Sequence, residues 1–313
     1  MIILKGAGSL NKAVTAKLLS GMAGSGNIKT DELMANHTSI KIGGPADILV
    51  TPCDIDSLIN ISSTCADLGI PVLVMGNGTN LIVRDRGIRG VVIKLRENMS
   101  RYEMVDEDIV AQPGILLSHL SWIASENGLT GLEFAEGIPG ALGGAVAMNA
   151  GAYDGDMSMV VESTEYLGRD GKIITLDRQQ HRFGKRSSFI QSDKGVVLKS
   201  RIRLKKGDQE QIKAKMEEFG TLRREKQPLD LASAGSVFKR PEGYFAGKLI
   251  QDCGLKGFRI GGAEVSCLHC GFIVNTGTAT ASDVLALIKH VQDTVFDWYG
   301  VELHTEVKVV GEE

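Results

Sequence analysis

Residues 133–156 read EFAEGIPGALGGAVAMNAGAYDGD and contain six glycines among mostly small side chains. Side chains this small contribute little to a core, so the glycines indicate a backbone that turns sharply or lies close against something. Residues 141–148 can form a short helix, and the first N–H groups of a helix have no partner within it. Such amides beside glycines favour a phosphate or pyrophosphate, although a glycine-rich crossing of two elements with no ligand explains this segment equally well.

A second glycine loop lies earlier in the chain, in VLVMGNGTNLIVR at residues 72–84. The apolar run at 72–75 predicts a buried strand, residues 76–80 turn the chain, and residues 81–83 resume the apolar run. Asn-Gly between apolar runs is ordinarily a hairpin turn, but Thr79 and Asn80 make this loop longer than that turn needs. Together the two loops indicate a dinucleotide-binding site that is built from glycine amides, a hydroxyl and side-chain amides.

Length and composition indicate a folded chain of two or three domains, because 43% of its 313 residues are hydrophobic. The net charge of −3 argues against a protein that binds duplex nucleic acid, and no stretch has the pattern of a membrane span. The first residues contain too short an apolar run for a secretory signal, so we expect a cytoplasmic protein. Five cysteines, an odd number scattered along the chain, indicate reduced thiols.

The periodicity of apolar residues predicts an α+β fold of three successive units. Apolar runs predict strands near Ile40 and at 47–51, 72–75, 81–84, 91–95, 102–105, 109–112, 160–167, 172–176, 196–205, 272–274 and 301–310. Helical stripes with capping residues predict helices at 9–21, 55–68, 118–127, 208–227, 244–253 and 281–299.

Several common catalytic motifs are absent from the sequence. No G-x-G-x-x-G follows a predicted strand, and the nucleotide-binding G-x-x-x-x-G-K-[ST], the metal-binding H-E-x-x-H and the hydrolase G-x-S-x-G do not occur. Cys267-Leu-His-Cys270 has the spacing of a zinc or redox pair, but no second pair completes a tetrahedral site. We therefore interpret these cysteines as residues at a strand edge and predict no metal site.

Six segments, in order and with fitting spacings, resemble one enzyme family. They are TSIKIGGPADILV (38–50), GNGTNLIVRDRGIRGVVI (76–93), EFAEGIPGALGGAVAMNAGAY (133–153), QPLDLASAGSVFKRPEG (227–243), GKLIQDCGLKG (247–257) and CGFIVNTGTATASDVLALI (270–288). The family is that of the UDP-N-acetylenolpyruvoylglucosamine reductases, and the likeness runs from about residue 36 to 311. The chain is similar to the shorter subgroup, which lacks an extra tyrosine-bearing substrate loop.

The resemblance implies an FAD-binding fold of the vanillyl-alcohol oxidase type. It divides the chain into FAD-binding subdomains at 1–93 and 94–206 and a substrate domain at 207–300, with a strand at 301–313 that completes the first subdomain. The implied FAD-binding residues, which would hold the pyrophosphate and the isoalloxazine, are Gly76, Asn77, Gly78, Thr79, Asn80, Ile138, Pro139, Gly140, Gly143, Gly144, Asn149, Gly151 and Ala152.

The implied reaction passes a hydride from NADPH through FAD to the vinyl ether of UDP-N-acetylglucosamine enolpyruvate, which yields UDP-N-acetylmuramate for peptidoglycan. Hydride addition to the terminal vinyl carbon leaves an enolate-like charge, so the site needs a fixed donor and a proton source. The family pattern assigns the donor to Arg186 in FGKRSSF and the proton to Ser236 in SAGSVF. It assigns a polarising role to Glu306 in LHTEVKVVG.

The resemblance also implies substrate contacts from three basic side chains, Lys226, Lys239 and Arg240, which suit the diphosphate of a UDP-sugar. One departure from the family concerns Lys185, because a tyrosine usually precedes the catalytic arginine. Each of the three implied catalytic residues also has a non-catalytic interpretation when it is considered alone. Arg186 could be a solvated loop arginine, Ser236 could be a turn serine, and Glu306 could be an exposed strand glutamate.

Two other functions remain open from the sequence. One is an FAD oxidase of the same fold that reacts with oxygen, although no histidine lies in a recognisable context for covalent flavin attachment. The other is a non-catalytic module that binds nucleotide sugars, in which the three implied catalytic residues have structural roles. The sequence does not indicate an oligomeric state.

Overall fold

The computed structural model describes residues 11–23 and 27–313. Its α-helices are α1 Lys12–Ala23, α2 Ile55–Asp67, α3 Leu117–Glu126, α4 Leu142–Met148, α5 Phe189–Asp193, α6 Gln209–Lys226, α7 Ala246–Asp252 and α8 Ala281–Tyr299. Its strands are β1 Ile28–Leu33, β2 Pro45–Val50, β3 Val72–Met75, β4 Leu81–Val83, β5 Ile88–Lys94, β6 Tyr102–Val105, β7 Asp108–Ala111, β8 Leu129–Thr130, β9 Gly151–Ala152, β10 Gly155–Asp156, β11 Val161–Leu167, β12 Ile173–Asp177, β13 Val196–Arg203, β14 Lys205–Lys206, β15 Ala232–Ser236, β16 Arg259–Ile260, β17 Ala263–Val265, β18 Phe272–Asn275 and β19 Lys308–Val310.

The chain folds into two compact units. Of the described residues, the first unit contains those up to Asp31, together with Asp47–Asn77 and Gly90–Leu222. The second unit contains Glu32–Ala46, Gly78–Arg89 and Arg223–Glu313. The sequence-based division into parts at 1–93, 94–206 and 207–300, with 301–313 completing the first, stays a prediction.

Two sheets organise the first unit. One has the strand order β1-β2-β5-β3, and its strands β3 and β5 run parallel, with Val72 opposite Val91. The other has the order β12-β11-β13-β7-β6, and all its pairings are antiparallel. Each sheet contributes to its own hydrophobic core, one centred on residues such as Ile48, Ile61 and Ile93 and the other on residues such as Ile109 and Ile202.

Helix α2 begins where the sequence predicts it. The Asp54 side chain accepts a hydrogen bond from the Ser57 amide at 2.8 Å, which satisfies one of the amides that the first turn leaves without a partner. The buried residues of the helix are Ser57, Leu58, Ile61 and Cys65, and the spacing of three and four between the last three places them on one face. The helix therefore packs one apolar stripe against the core.

The second unit is built around β15-β18-β17-β16 and the long helix α8. Thr280 and Asp283 form the predicted capping box at the start of α8, and Gly300 ends the helix in a left-handed conformation. Asp85 adds a second cap, because its carboxylate accepts hydrogen bonds from the amides of Ala281 and Ser282 at 2.7 and 2.9 Å. Strand β19 pairs in parallel with β4 in the same unit.

Some of the predicted elements are wrong. Ile40 lies in a turn, where it is buried in the core of the second unit. The apolar alternation around it therefore reflects burial and not a strand. Strand β1 was not predicted because its sequence IKTDEL has no apolar alternation at a mostly exposed edge of the sheet. The last predicted strand, 301–310, is formed only at β19. The helix predicted at 9–21 corresponds to α1, and Ser9 and Leu10 lie outside the described residues.

Among the described helices, none is both long and apolar enough to cross a membrane.

Candidate active site

The loop after β3 is joined to the long glycine segment within the first unit. The Asn77 side-chain amide donates a hydrogen bond to the Pro139 carbonyl at 2.7 Å. A Cβ atom at Gly76 would lie 3.2 Å from the Cβ of Ala141, a tight contact that glycine avoids where the two loops approach each other. The loop leaves the carboxyl end of a strand in a parallel pair, which is where ligands bind in α/β sheets.

The first two backbone amides of helix α4 are hydrogen-bonded, although the sequence predicts that they have no partner. The amides of Leu142 and Gly143 donate to the carbonyls of Ile115 and Pro113, both at 2.9 Å, so the expectation that they point outward unpaired is wrong. The Gly144 amide donates to no acceptor in the described part of the chain, and a Cβ atom there would meet nothing within 4 Å. The open amide of α4 is therefore that of Gly144.

A cleft of about 110 Å³ is lined in part by Gly144. Its lining consists mainly of backbone and small or aliphatic side chains: Val74, Met75, Gly76, Leu95, Pro113, Gly143, Gly144, Ala147, Gly195, Val196 and Val197. Within the described residues, the backbone amides of Gly76 and Asn77 also donate no hydrogen bond. A narrow cleft with apolar walls and unpaired amides fits a flat ring system that carries phosphates.

The predicted ligand residue Asn149 is occupied by the protein itself. The residue is 5% exposed, and its side chain donates to Asp156 at 3.2 Å and to the Gly184 carbonyl at 3.1 Å and accepts from the Ser158 amide at 2.9 Å. Asn149 also ends α4 in a left-handed conformation, with φ 48°. The side chain thus fixes the turn that leads into the β9–β10 hairpin, and its hydrogen-bonding atoms are used within the protein.

Arg186 is anchored on the same turn. Its Nη2 donates to the Gly151 carbonyl at 3.0 Å and its Nη1 approaches the Asn149 carbonyl at 3.4 Å. Arg186 has a φ of 55°, in a two-residue turn that Gly184 and Ser187 close with reciprocal backbone hydrogen bonds. The guanidinium is therefore held in one orientation beside the glycine segment, unlike a solvated loop arginine.

The unusual Lys185 lies at the exposed position of that same turn. A turn of this kind accepts many residue types at its first central position when the side chain points outward. The turn that positions Arg186 is closed by the backbone hydrogen bonds of Gly184 and Ser187, to which the Lys185 side chain does not contribute.

The remaining residues of the earlier loop belong to the second unit. The carbonyl of Gly78 accepts from the Ser39 amide at 3.1 Å, and that of Asn80 accepts from the Lys308 amide at 3.0 Å. Among the described residues, no acceptor receives a hydrogen bond from the backbone amides of Gly78, Thr79 or Asn80. The loop is thus fixed through its carbonyls, and its N–H groups are left for a ligand.

Ser236 and Glu306 lie on neighbouring segments of the second unit. The Glu306 amide donates to the carbonyl of Val237 at 2.7 Å, and the Asn80 side chain donates to the Glu306 carbonyl at 3.2 Å. The Ser236 hydroxyl has a long hydrogen bond of 3.4 Å to the Phe238 carbonyl. The structure therefore brings these two predicted catalytic residues to one place, together with the loop at 78–80, whereas Arg186 belongs to the first unit.

The predicted substrate cations differ in how they are held. The Lys239 amide donates to the His304 carbonyl at 2.8 Å, which fixes its backbone next to the Glu306 segment. Arg240 stacks its guanidinium 3.9 Å above the Phe245 ring and donates from Nε to the Tyr244 carbonyl at 3.3 Å. Lys226 is exposed at the last residue of α6.

Sequence reasoning missed His269, whose ring lies beside Ser236. A Cβ atom at Gly271 would be 2.9 Å from His269 Cε1 and 3.5 Å from Ser236 Oγ. The only sequence signal for this residue was the CLHC motif at 267–270, whose cysteine spacing is typical of a metal or redox site. In the described part of the chain, no group of three His, Cys, Asp or Glu residues is placed to hold a metal ion.

The chain matches two protein-family models. Residues 46–177 match an FAD binding domain, and residues 227–310 match the C-terminal domain of UDP-N-acetylenolpyruvoylglucosamine reductase. The first match contains Gly76–Asn80 and the long glycine segment, and the second contains Ser236 and Glu306.

Curated relatives are similar along almost the whole chain. The UDP-N-acetylenolpyruvoylglucosamine reductase of Clostridium tetani is 50% identical over 290 residues, which cover 93% of this chain and 94% of the relative. That of Caldanaerobacter subterraneus is 50% identical over 288 residues, covering 92% and 95%. The crystal structure of the corresponding enzyme (MurB) from Thermus caldophilus superposes with a TM-score of 0.79 at 36% identity, covering 90% of this chain and 99% of that one.

Proposed function

The chain belongs to the UDP-N-acetylenolpyruvoylglucosamine reductase family, and we propose that it uses NADPH to reduce UDP-N-acetylglucosamine enolpyruvate to UDP-N-acetylmuramate. It is an FAD-binding oxidoreductase. The predicted FAD-binding fold with a C-terminal α+β domain is confirmed. The activity is expected in the cytoplasm, where NADPH is available, and it supplies a precursor of peptidoglycan.

The observation that carries this proposal is the set of backbone amides left without acceptors in the two glycine loops. In the described part of the chain, the backbone amides of Gly76–Asn80 and Gly144 donate no hydrogen bond, while the side chains of Asn77 and Asn80 and the carbonyls of Gly78 and Asn80 are hydrogen-bonded within the protein. Oriented amides of this kind stabilise phosphate oxygens. When bound, FAD supplies a carrier that accepts a hydride from NADPH and delivers it to the substrate.

Three side chains would then handle the charge and the proton that the second hydride transfer requires. Arg186, already oriented by the Gly151 carbonyl, donates hydrogen bonds to the developing enolate. Glu306 polarises the same group. Ser236 donates its proton to the carbon next to the carboxylate, and its weak 3.4 Å hydrogen bond leaves the hydroxyl able to turn.

The substrate's diphosphate would be bound by Lys226, Lys239 and Arg240. The stacking of Arg240 on Phe245 fixes the plane of the guanidinium, and a fixed fork of donors suits phosphate oxygens. We propose that these cations hold the UDP end, while Ser236 and Glu306 act at the enolpyruvyl end.

Anaerobic half-reactions test the proposal. The purified protein should have the visible absorption of FAD, lose it on addition of NADPH, and regain it on addition of the enolpyruvyl UDP-sugar. Ser236→Ala should leave the bleaching rate unchanged and slow the return of absorbance by about 10²–10⁴-fold. A reduced enzyme that reoxidises rapidly in air and ignores the sugar would instead indicate an oxidase.

A further inference from the structure

His269 occupies a rigid position next to the serine in the second unit. The loop that carries it is fixed by Ser266, whose hydroxyl accepts from the amides of Leu268 and His269 at 3.2 and 3.3 Å. The imidazole packs edge-on against the Phe272 ring, with centroids 5.0 Å apart. On its other side lies α7, where a Cβ atom at Gly247 would be 3.2 Å from His269 Cε1.

The ring and the serine hydroxyl border the same small volume. Both lie within reach of a single methyl group placed on Gly271, as its distances to Cε1 and Oγ show. The backbone holds this arrangement, because Ser236 pairs with Phe272 across β15 and β18, and the Gly271 carbonyl accepts from the Val237 amide at 2.9 Å. This pairing holds the backbone of Ser236 beside that of Gly271 and Phe272.

The hydrogen-bond pattern assigns the tautomer of the imidazole. His269 Nδ1 accepts a hydrogen bond from the Gly271 amide at 3.0 Å, so Nδ1 has no proton and the neutral ring has its hydrogen on Nε2. Burial lowers the pKa of His269 below its ordinary value of 6.5, which keeps the ring neutral at physiological pH. The ring therefore presents one N–H donor.

We propose that His269 is a positioning residue for the proton transfer, and that its Nε2–H group stabilises the oxygen of Ser236 as the serine loses its proton. This inference rests on the proposed function. A serine hydroxyl is a weak acid, so the transfer needs a donor that lowers the energy of the alkoxide. A neutral, half-buried imidazole with a fixed tautomer can donate this hydrogen bond directly or through one water molecule.

The step balances without any further reactant. The O–H bond of Ser236 breaks, a C–H bond forms on the substrate carbon next to the carboxylate, and the electron pair stays on the serine oxygen. Water then returns a proton to that oxygen. His269 donates a hydrogen bond throughout and transfers no proton itself.

Two substitutions separate this role from a purely structural one. In His269→Gln, the side-chain NH₂ can reach the position of Nε2, so the hydrogen-bond donor is kept. The acceptor at the Nδ1 position, which binds the Gly271 amide, is lost. In His269→Asn, the side-chain oxygen can replace Nδ1 as that acceptor, while the donor at the Nε2 position is lost. The proposal predicts that Gln supports proton transfer better than Asn, and a structural role predicts the reverse.

The assay is anaerobic stopped-flow reoxidation of the NADPH-reduced holoenzyme by the enolpyruvyl UDP-sugar. His269→Asn should slow this step at least tenfold, and His269→Gln should stay within about threefold of the wild type. Reduction by NADPH and the dissociation constant of the sugar should not change in either variant. His290→Gln, which replaces a histidine stacked on Phe258 at 4.4 Å, serves as the control and should not affect either half-reaction.

A third variant keeps both side chains. Gly271→Ala would place a methyl group 2.9 Å from His269 Cε1 but at ordinary contact from Ser236 Oγ, so it should push the ring away and slow only the reoxidation. Equal rates for the Asn and Gln variants, or a faster Asn variant, would overturn the proposal. Failure of the wild type to reoxidise with the sugar would instead refute the proposed function.

Discussion

Adjacent glycines in α4 should respond in opposite ways to the same substitution. In Gly143→Ala, the new Cβ would lie 2.7 Å from the Cβ of Pro113 and 3.3 Å from its carbonyl oxygen. A proline ring cannot rotate aside, so overpacking here should cost about 1–3 kcal/mol of unfolding free energy. At about 2–4 °C for each kcal/mol in a domain of this size, the Tm of the apoprotein should fall measurably.

Gly144→Ala is the matched variant, because its Cβ would meet no protein atom within 4 Å. Removal of glycine from a helix should leave the apoprotein equally stable or add up to about 1 kcal/mol. The methyl group would instead project into the cleft that we assign to FAD. We therefore expect FAD to bind at least about tenfold more weakly, which corresponds to about 1.4 kcal/mol.

Thermal unfolding of both apoproteins and titration with FAD, followed by quenching of flavin fluorescence, measure the two effects separately. The reasoning predicts a loss of stability in the first variant and a loss of affinity in the second. Wild-type FAD affinity in Gly144→Ala would refute the assignment of the cleft. An unchanged Tm in Gly143→Ala would refute the packing argument.

Three further substitutions test individual side chains. Arg186→Lys cannot reproduce the two-carbonyl anchor, so reoxidation by the sugar should fall about 10²–10³-fold while bleaching by NADPH persists. Asn149→Gly keeps the left-handed backbone but removes buried hydrogen bonds, and should lower the free energy of unfolding by about 1–3 kcal/mol in denaturant titrations. Asp85→Ala should cost about 1 kcal/mol at pH 7 through the lost helix cap. Burial opposes ionisation of Asp85, but hydrogen bonds from Ser282 and Ala281 outweigh it and lower its pKa below 3.8, so unfolding curves of the two proteins should converge only as the pH falls below that value.

Strong local signals explain which parts of the fold could be predicted. Asp54 before an apolar stripe and the Thr280–Asp283 capping box fixed the starts of α2 and α8. Strand β1 could not be predicted, because a mostly exposed edge strand needs little apolar alternation. Ile40 gave a false strand signal, since its carbonyl accepts from the buried Asn275 side chain and its burial comes from the core of the second unit.

The candidate site was predictable only where glycines or family motifs marked it. The two glycine loops indicated an anion site, but which amides are open depends on Ile115 and Pro113, whose carbonyls accept from the first residues of α4. The anchoring of Arg186 on the Gly151 carbonyl requires tertiary contacts that sequence spacing does not contain. His269 was missed for the same reason, because Gly271 brings it to Ser236 only after β15 and β18 pair.

Amide hydrogen exchange of the apoprotein and of the FAD-reconstituted protein tests the central claim most directly. The account predicts that the amides at 76–80 and at Gly144 exchange rapidly without FAD and become protected when it binds. The amides of Leu142 and Gly143 are already bonded, so they should be slow in both states. Unchanged exchange in both glycine loops on stoichiometric FAD binding would contradict the account.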